Sequence, residues 1–151
     1  MATLGTFVSG QVLTAAELND IGTWTTFTPV FTNFTAGSAT INAKYCQINN
    51  IVFVRGQVTL AADSSVSGSV SFAHPSPGAS ITPRGFVGHT TMIEDGGSIY
   101  TGAVLLSSTA VVLYVNRSSG TYTVPNNMQA AIPFSWGTND QFYWNYFYEV
   151  A

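Results

Sequence analysis

Apolar and polar residues alternate with a two-residue period through most of this chain, and the exception is its first stretch. Residues 7 to 29 hold the one clear helix signal instead. Thr14, followed three positions later by Glu17, makes a capping box: the hydroxyl accepts an early helix N–H and the carboxylate reaches back to the cap's own N–H. Leu13 and Leu18 stand where a hydrophobic staple forms, and Gly22 is placed to end the helix in a left-handed turn. A helix of roughly two turns is unstable alone in water, so it has to dock, through Leu18, Ile21 and Trp24. Ahead of a β body, such a helix predicts an attachment arm more than a catalytic element.

From Thr23 the period changes. Trp24, Thr26, Thr28 and Val30 fall on one side and Phe27, Pro29 and Phe31 on the other, a strand entry with Pro29 at an edge or bulge where a missing N–H does no harm. Ile41 to Ile48 and Ile51 to Ala61 are strands separated only by Asn49-Asn50. Asn tolerates positive φ, so the link predicts a type I′ hairpin. Val66 to Ala73 sets Val66, Gly68, Val70 and Phe72 against Ser67, Ser69 and Ser71, a half-buried strand with a hydroxyl-rich outer face. His74-Pro75-Ser76-Pro77-Gly78 and Pro83-Arg84-Gly85 are turns. Phe86 to Glu94 and Ser98 to Leu106 flank Asp95-Gly96-Gly97, a further hairpin signal. Ala110 to Asn116 is a β-branched strand ending at Arg117-Ser118-Ser119-Gly120. A short piece from Tyr122 to Val124 stops at Pro125, and strands at Ile132 to Trp136 and Gln141 to Val150 complete the order.

About eight or nine short strands with turns every 8 to 12 residues predict an all-β fold, a sandwich or barrel. We expect a jelly-roll-like antiparallel β-sandwich over residues 27–151, preceded by an arm with a short N-terminal α-helix over 1–26. The last strand has aromatics on both faces. Phe142, Trp144, Tyr146 and Tyr148 can fill the sandwich, whereas Tyr143 and Phe147 then need a second cover, from the N-terminal helix or a neighbouring subunit.

Composition sharpens the picture. Charged residues make up 7 % of the 151 residues, against about 25 % in ordinary soluble domains. Hydrophobic residues reach 46 % and aromatics 13 %. A surface so poor in charge is weakly protected from self-association, which predicts apolar surface buried between subunits. No apolar run approaches the 18 or more residues of a membrane helix, and the N-terminus lacks the basic flank of a secretory signal. The net charge is −3. Its four cations, Lys44, Arg55, Arg84 and Arg117, are too few and too scattered for the six to ten phosphates of a typical nucleic-acid interface. Cys46 is the only cysteine; it excludes an intrachain disulfide and reads as a buried, inert thiol.

Catalytic chemistry is poorly supported. His74 and His89 are the only histidines, and no Gly-x-Ser-x-Gly elbow accompanies them. Glu94 and Asp95 are adjacent and so point to opposite sides, reading as hairpin acids; Asp63, Asp140 and Glu149 are carboxylates without a partner in sequence. No metal-ligand spacing or phosphate-cradling loop is present. We therefore expect no enzyme activity and no cofactor. Trp136, Trp144 and Tyr146 are candidate glycan contacts, together with Tyr143, with Asn139, Asp140 and Asn145 supplying hydrogen bonds. The polar segments 74–85 and 118–127 are candidate contact loops.

The segment Phe7-x-x-Gly10-Gln11-Val12-Leu13-Thr14-Ala15-Ala16-Glu17-Leu18-Asn19, followed by Trp24 and Thr28-Pro29, resembles the start of small tail-associated proteins of bacteriophages, especially those of actinobacteria. Tyr45-Cys46-Gln47-Ile48 leading into Val52-Phe53-Val54-Arg55-Gly56 continues the likeness, which covers roughly the first 60 residues. The resemblance implies a virion structural protein, a homotrimer anchored at its helical end to other virion proteins, either a minor tail or tail-tip protein in host attachment or a capsid decoration or head-fibre protein. A carbohydrate-binding module is the reading from another class. Leu13, Leu18, Ile21, Trp24, Tyr143 and Phe147 are the expected attachment and oligomer contacts. A host-surface glycan is the expected external partner, and nucleic acid and membrane insertion are not expected.

Overall fold

The computed structural model describes residues 10, 12, 14, 15, 21–75, 85–107, 110–119 and 121–150. Its elements are β1 (Thr25–Thr26), β2 (Phe31–Thr35), β3 (Thr40–Ile48), β4 (Ile51–Thr59), β5 (Ser65–Phe72), β6 (Gly85–Ile93), β7 (Ile99–Leu106), β8 (Val111–Ser119), β9 (Tyr122–Asn127) and β10 (Gln141–Glu149). No N-terminal helix is seen among the described residues. Of its expected span Ala15 alone is described in helical backbone, and Leu13, Glu17 and Leu18 lie outside the described residues. Gly22 does adopt the left-handed conformation, with φ +76°.

The strands form one antiparallel sheet in the order β1-β3-β4-β10-β6-β7-β8-β5-β2, with β9 joined to β8. The sheet curls at β8. The first half of that strand pairs with β7 and β5, whereas Tyr114 to Ser119 pair with β9 instead. At the division the strand crosses the inner face of β6 and β7. The Thr90 hydroxyl donates to the Tyr114 carbonyl at 2.6 Å, and a methyl group at Gly102 would run into the backbone of Tyr114 and Val115. Met128 fills the fork: its N–H donates to Leu113 O and its carbonyl accepts from Val70 N–H.

The curl lays β2 and β5 over the inner face of β10, and the core lies between them. Phe31 meets Phe34, Phe72, Phe142 and Trp144 edge-on at centroid distances of 5.1 to 6.1 Å; such pairs add about 0.5–1.5 kcal/mol each beyond burial. Phe31 and Phe34 are three apart yet share a side, because a bulge at Asn33 (φ 61°) shifts the register between Thr32 and Phe34. Trp144 lies flat against Gly56, directly opposite on β4, where any Cβ would sit inside the indole.

Most predicted strands are present, with three corrections. The two-residue link Asn49-Asn50 joins β3 to β4, but positive φ occurs at Asn49 alone (55°), so the turn is not type I′, which needs it at both central residues. Segment 118–127 is no loop. Its residues belong mainly to the β8–β9 hairpin, and β9 runs through Pro125, tolerated because this strand pairs on one side only. Ile132 to Trp136 is not a strand; one bridge between Gln129 and Ile132 is its only pairing.

Candidate functional site: the outer face of the central strands

Alternate residues of a strand point to opposite faces, and β10 divides as its pattern requires. Phe142, Trp144, Tyr146 and Tyr148 are buried inside, while Tyr143, Asn145 and Phe147 look outward. The register of β3, β4, β10 and β6 then sets outward side chains in rows across the sheet. Cys46, Phe53 and Phe147 form an apolar row. About 7 Å further along the strands comes a cationic row, Lys44–Arg55–Asn145–His89. The next is an amide and hydroxyl row, Asn42–Gln57–Tyr143–Thr91.

Two clefts open on these rows and share Arg55 and Asn145. The polar one, of about 550 Å³, is lined by Asn42, Lys44, Arg55, Gln57, Tyr143 and Asn145. The apolar one, of about 380 Å³, is bounded by Trp24, Phe53, Val87 and Phe147. In the polar cleft Gln57 Nε2 donates to the Tyr143 hydroxyl at 3.1 Å, and that hydroxyl donates to Gln141 Oε1. The Arg55 guanidinium stands 4.4 Å from the Trp24 ring centroid, a cation–π contact of about 0.5–1 kcal/mol at an exposed position.

The predicted site residues separate sharply. Ile21 and Trp24 are partly exposed near this outer face, with Gly22 beside the Ile48 side chain. Phe147 is 56 % exposed, its ring 6.2 Å from that of Phe53. Tyr143 lines the polar cleft. Leu13 and Leu18 lie outside the described residues. The candidate glycan contacts are corrected: Trp144 and Tyr146 are 1 % and 4 % exposed and face the core, so neither offers a ring to a sugar. Trp136 is packed on Phe134 and Phe142 and donates its Nε1–H to the Gln129 carbonyl at 2.9 Å, which makes it a strut for the irregular segment before β10.

The carboxylates are structural where the geometry is clear. Asp140 is buried and accepts N–H bonds from Asp95 at 2.8 Å and from Gly137 at 2.6 Å. It pins the β6–β7 turn to the entry of β10. Asp63 accepts the Ser38 N–H at 2.8 Å and its hydroxyl at 2.9 Å, bonds that hold its pKa below the usual value. Burial pushes the Cys46 thiol up, against the opposing field of Arg55. Tyr146 is raised far more strongly by burial, with Tyr148 adding to it, and its hydroxyl and Trp144 Nε1 are buried without a partner among the described residues. No group of three or more His, Cys, Asp or Glu among the described residues could hold a metal ion. No described helix is long and apolar enough to cross a membrane.

The sequence reading missed the cationic row. Lys44 and Arg55 are eleven positions apart and look scattered, yet the Asn49-Asn50 hairpin sets them directly opposite. Counting outward from that turn would have paired them. His89 and Asn145 could not be added without knowing that β10 lies between β4 and β6. Comparison with family models, with curated proteins and with solved structures returns no match for the chain.

Proposed function

We propose that the protein is a bacteriophage virion component, a homotrimeric minor tail or tail-tip protein that contributes to host-surface attachment and joins other virion proteins through its N-terminal arm. We also read the flap of β2 and β5 over β10 as the second layer of a jelly-roll-like sandwich, a form suited to projecting from a particle. The observation that carries the assembly reading is the exposed aromatic row Phe53–Phe147, with Trp24 at its margin. Contiguous apolar surface of this kind marks contact sites, and aromatic residues are enriched at protein interfaces. The scarcity of charge points the same way, since little else opposes association.

Light scattering coupled to size exclusion tests it. The wild-type protein should run at three times the 16.0 kDa chain mass. Replacing Phe53 and Phe147 together with Ser should reduce that to one chain mass with the β-sheet circular dichroism unchanged. A monomeric wild-type protein overturns the trimer. Deleting residues 1–22 should abolish incorporation into particles while leaving the β body folded; normal incorporation would sink the proposed role of the arm.

A further inference from the structure

We propose that the polar cleft on the outer face, centred on the Lys44–Arg55 pair, binds an anionic saccharide, a glycan carrying phosphate or carboxylate groups. Like charges directly opposite on neighbouring strands destabilise a sheet, and this chain places two of its four cations in that relation. Neither has an ion-pair partner among the described residues. Glu149 is the one carboxylate on the outward positions of β10, and the Phe147 position separates it from the cationic row. A bound anion relieves the repulsion that the fold leaves in place.

The groups around the pair determine what kind of anion fits. Asn42, Gln57 and Asn145 offer amide donors and acceptors, and Tyr143 presents a phenol already held by Gln57 and Gln141. Such groups hydrogen-bond hydroxyls in either direction, whereas a bare inorganic anion would use only the donors. Arg55 is steadied on one side by the Trp24 ring, which lowers the ordering cost of using it. The cleft volume, about 550 Å³, falls within the range of about 300–1,000 Å³ usual for ligand sites. Two adjacent cations are too few for a nucleic-acid backbone but suffice for one phosphate or carboxylate per repeat. The proposal deepens the attachment reading, and it is tested by binding, apart from oligomer mass.

Titration of the full-length protein with a phosphate-bearing glycan (phosphomannan), polygalacturonate, neutral dextran and an oligothymidylate provides the test. The wild-type protein should bind at least one of the two acidic polymers, and which one identifies the anion; dextran should not bind, and oligothymidylate should bind more weakly. Replacing Lys44 and Arg55 together with Gln should weaken binding about tenfold or more, the usual cost of losing charge-assisted hydrogen bonds. Asn145→Ala should weaken it less, and Arg117→Gln, on β8, should leave it unchanged. The site is overturned if neither acidic polymer binds, if dextran or oligothymidylate binds as tightly, or if Arg117→Gln costs as much as the double change. Light scattering on the same samples keeps the two readings apart: a monomer that binds retains the site and loses the trimer, and a trimer that does not bind does the reverse.

Discussion

Two buried polar residues carry opposite consequences for stability. Asp140 satisfies two backbone N–H groups from separate turns, those of Asp95 and Gly137. Asp140→Ala should cost about 2–4 kcal/mol, the loss of two bonds to a charged acceptor, measured as a fall in the urea midpoint at constant slope. Tyr146 is the reverse case, with a hydroxyl buried among rings and unpaired. Tyr146→Phe should leave stability unchanged or raise it by about 1–3 kcal/mol, because an unmet polar group is removed. Its pH signature has a definite sign. Burial holds the folded phenol's pKa above its ordinary value of about 10, so its contribution is complete below that pH. It is lost as pH rises, since the unfolded chain ionises first. Urea unfolding at pH 8 and pH 10.5 should show the wild type losing stability that Tyr146→Phe keeps. That the inward face of β10 is core could be read from its alternation. That Trp144 and Tyr146 would be closed off from sugars could not, because this depends on β2 and β5 folding over them.

Among the elements, β8 does the most to shape the molecule, since it leaves β7 partway along and turns the sheet over itself. The crossing works because Thr90 and Gly102 are small where β8 passes. Gly102→Ala should therefore destabilise by about 1–3 kcal/mol, the usual range for overpacking, whereas Gly96→Ala, in an open turn with φ +69°, should cost only the strain of its conformation. Comparing the two by thermal unfolding separates close approach from backbone preference. Strand positions were legible because a two-residue period and Gly, Asn and Pro punctuation are local signals. The bulge at Asn33 and the β8 fork were not, because each answers to a neighbour distant in sequence: Asn33 Nδ2 donates to Ser69 O, and Met128 ties Leu113 to Val70. The irregular course of 132–136 goes with a nearer contact, the Trp136 Nε1–H held by the Gln129 carbonyl. The expected helix was drawn from a local capping pattern, and most of its residues fall outside those described.

At the scale of the whole molecule, the sheet gathers onto one face what the chain spreads over a hundred positions. An apolar row, a cationic row and an amide row lie side by side, and Arg55 and Asn145 line the clefts on both sides of the cationic one. The sequence reading anticipated a spare face on the last strand but could not populate it, since rows exist only once register and strand order are known. That order has a further consequence, for synthesis. β10, which follows the other nine described strands in chain order, lies between β4 and β6 at the centre of the sheet. Until residue 149 has left the ribosome, β4 and β6 each present an open nine-residue edge, the kind of edge on which nascent chains pair wrongly with one another. A chain stalled before residue 141 should accumulate as aggregate or chaperone complex rather than as a smaller folded domain. The trimer proposed above would then have to wait for β10 of every copy.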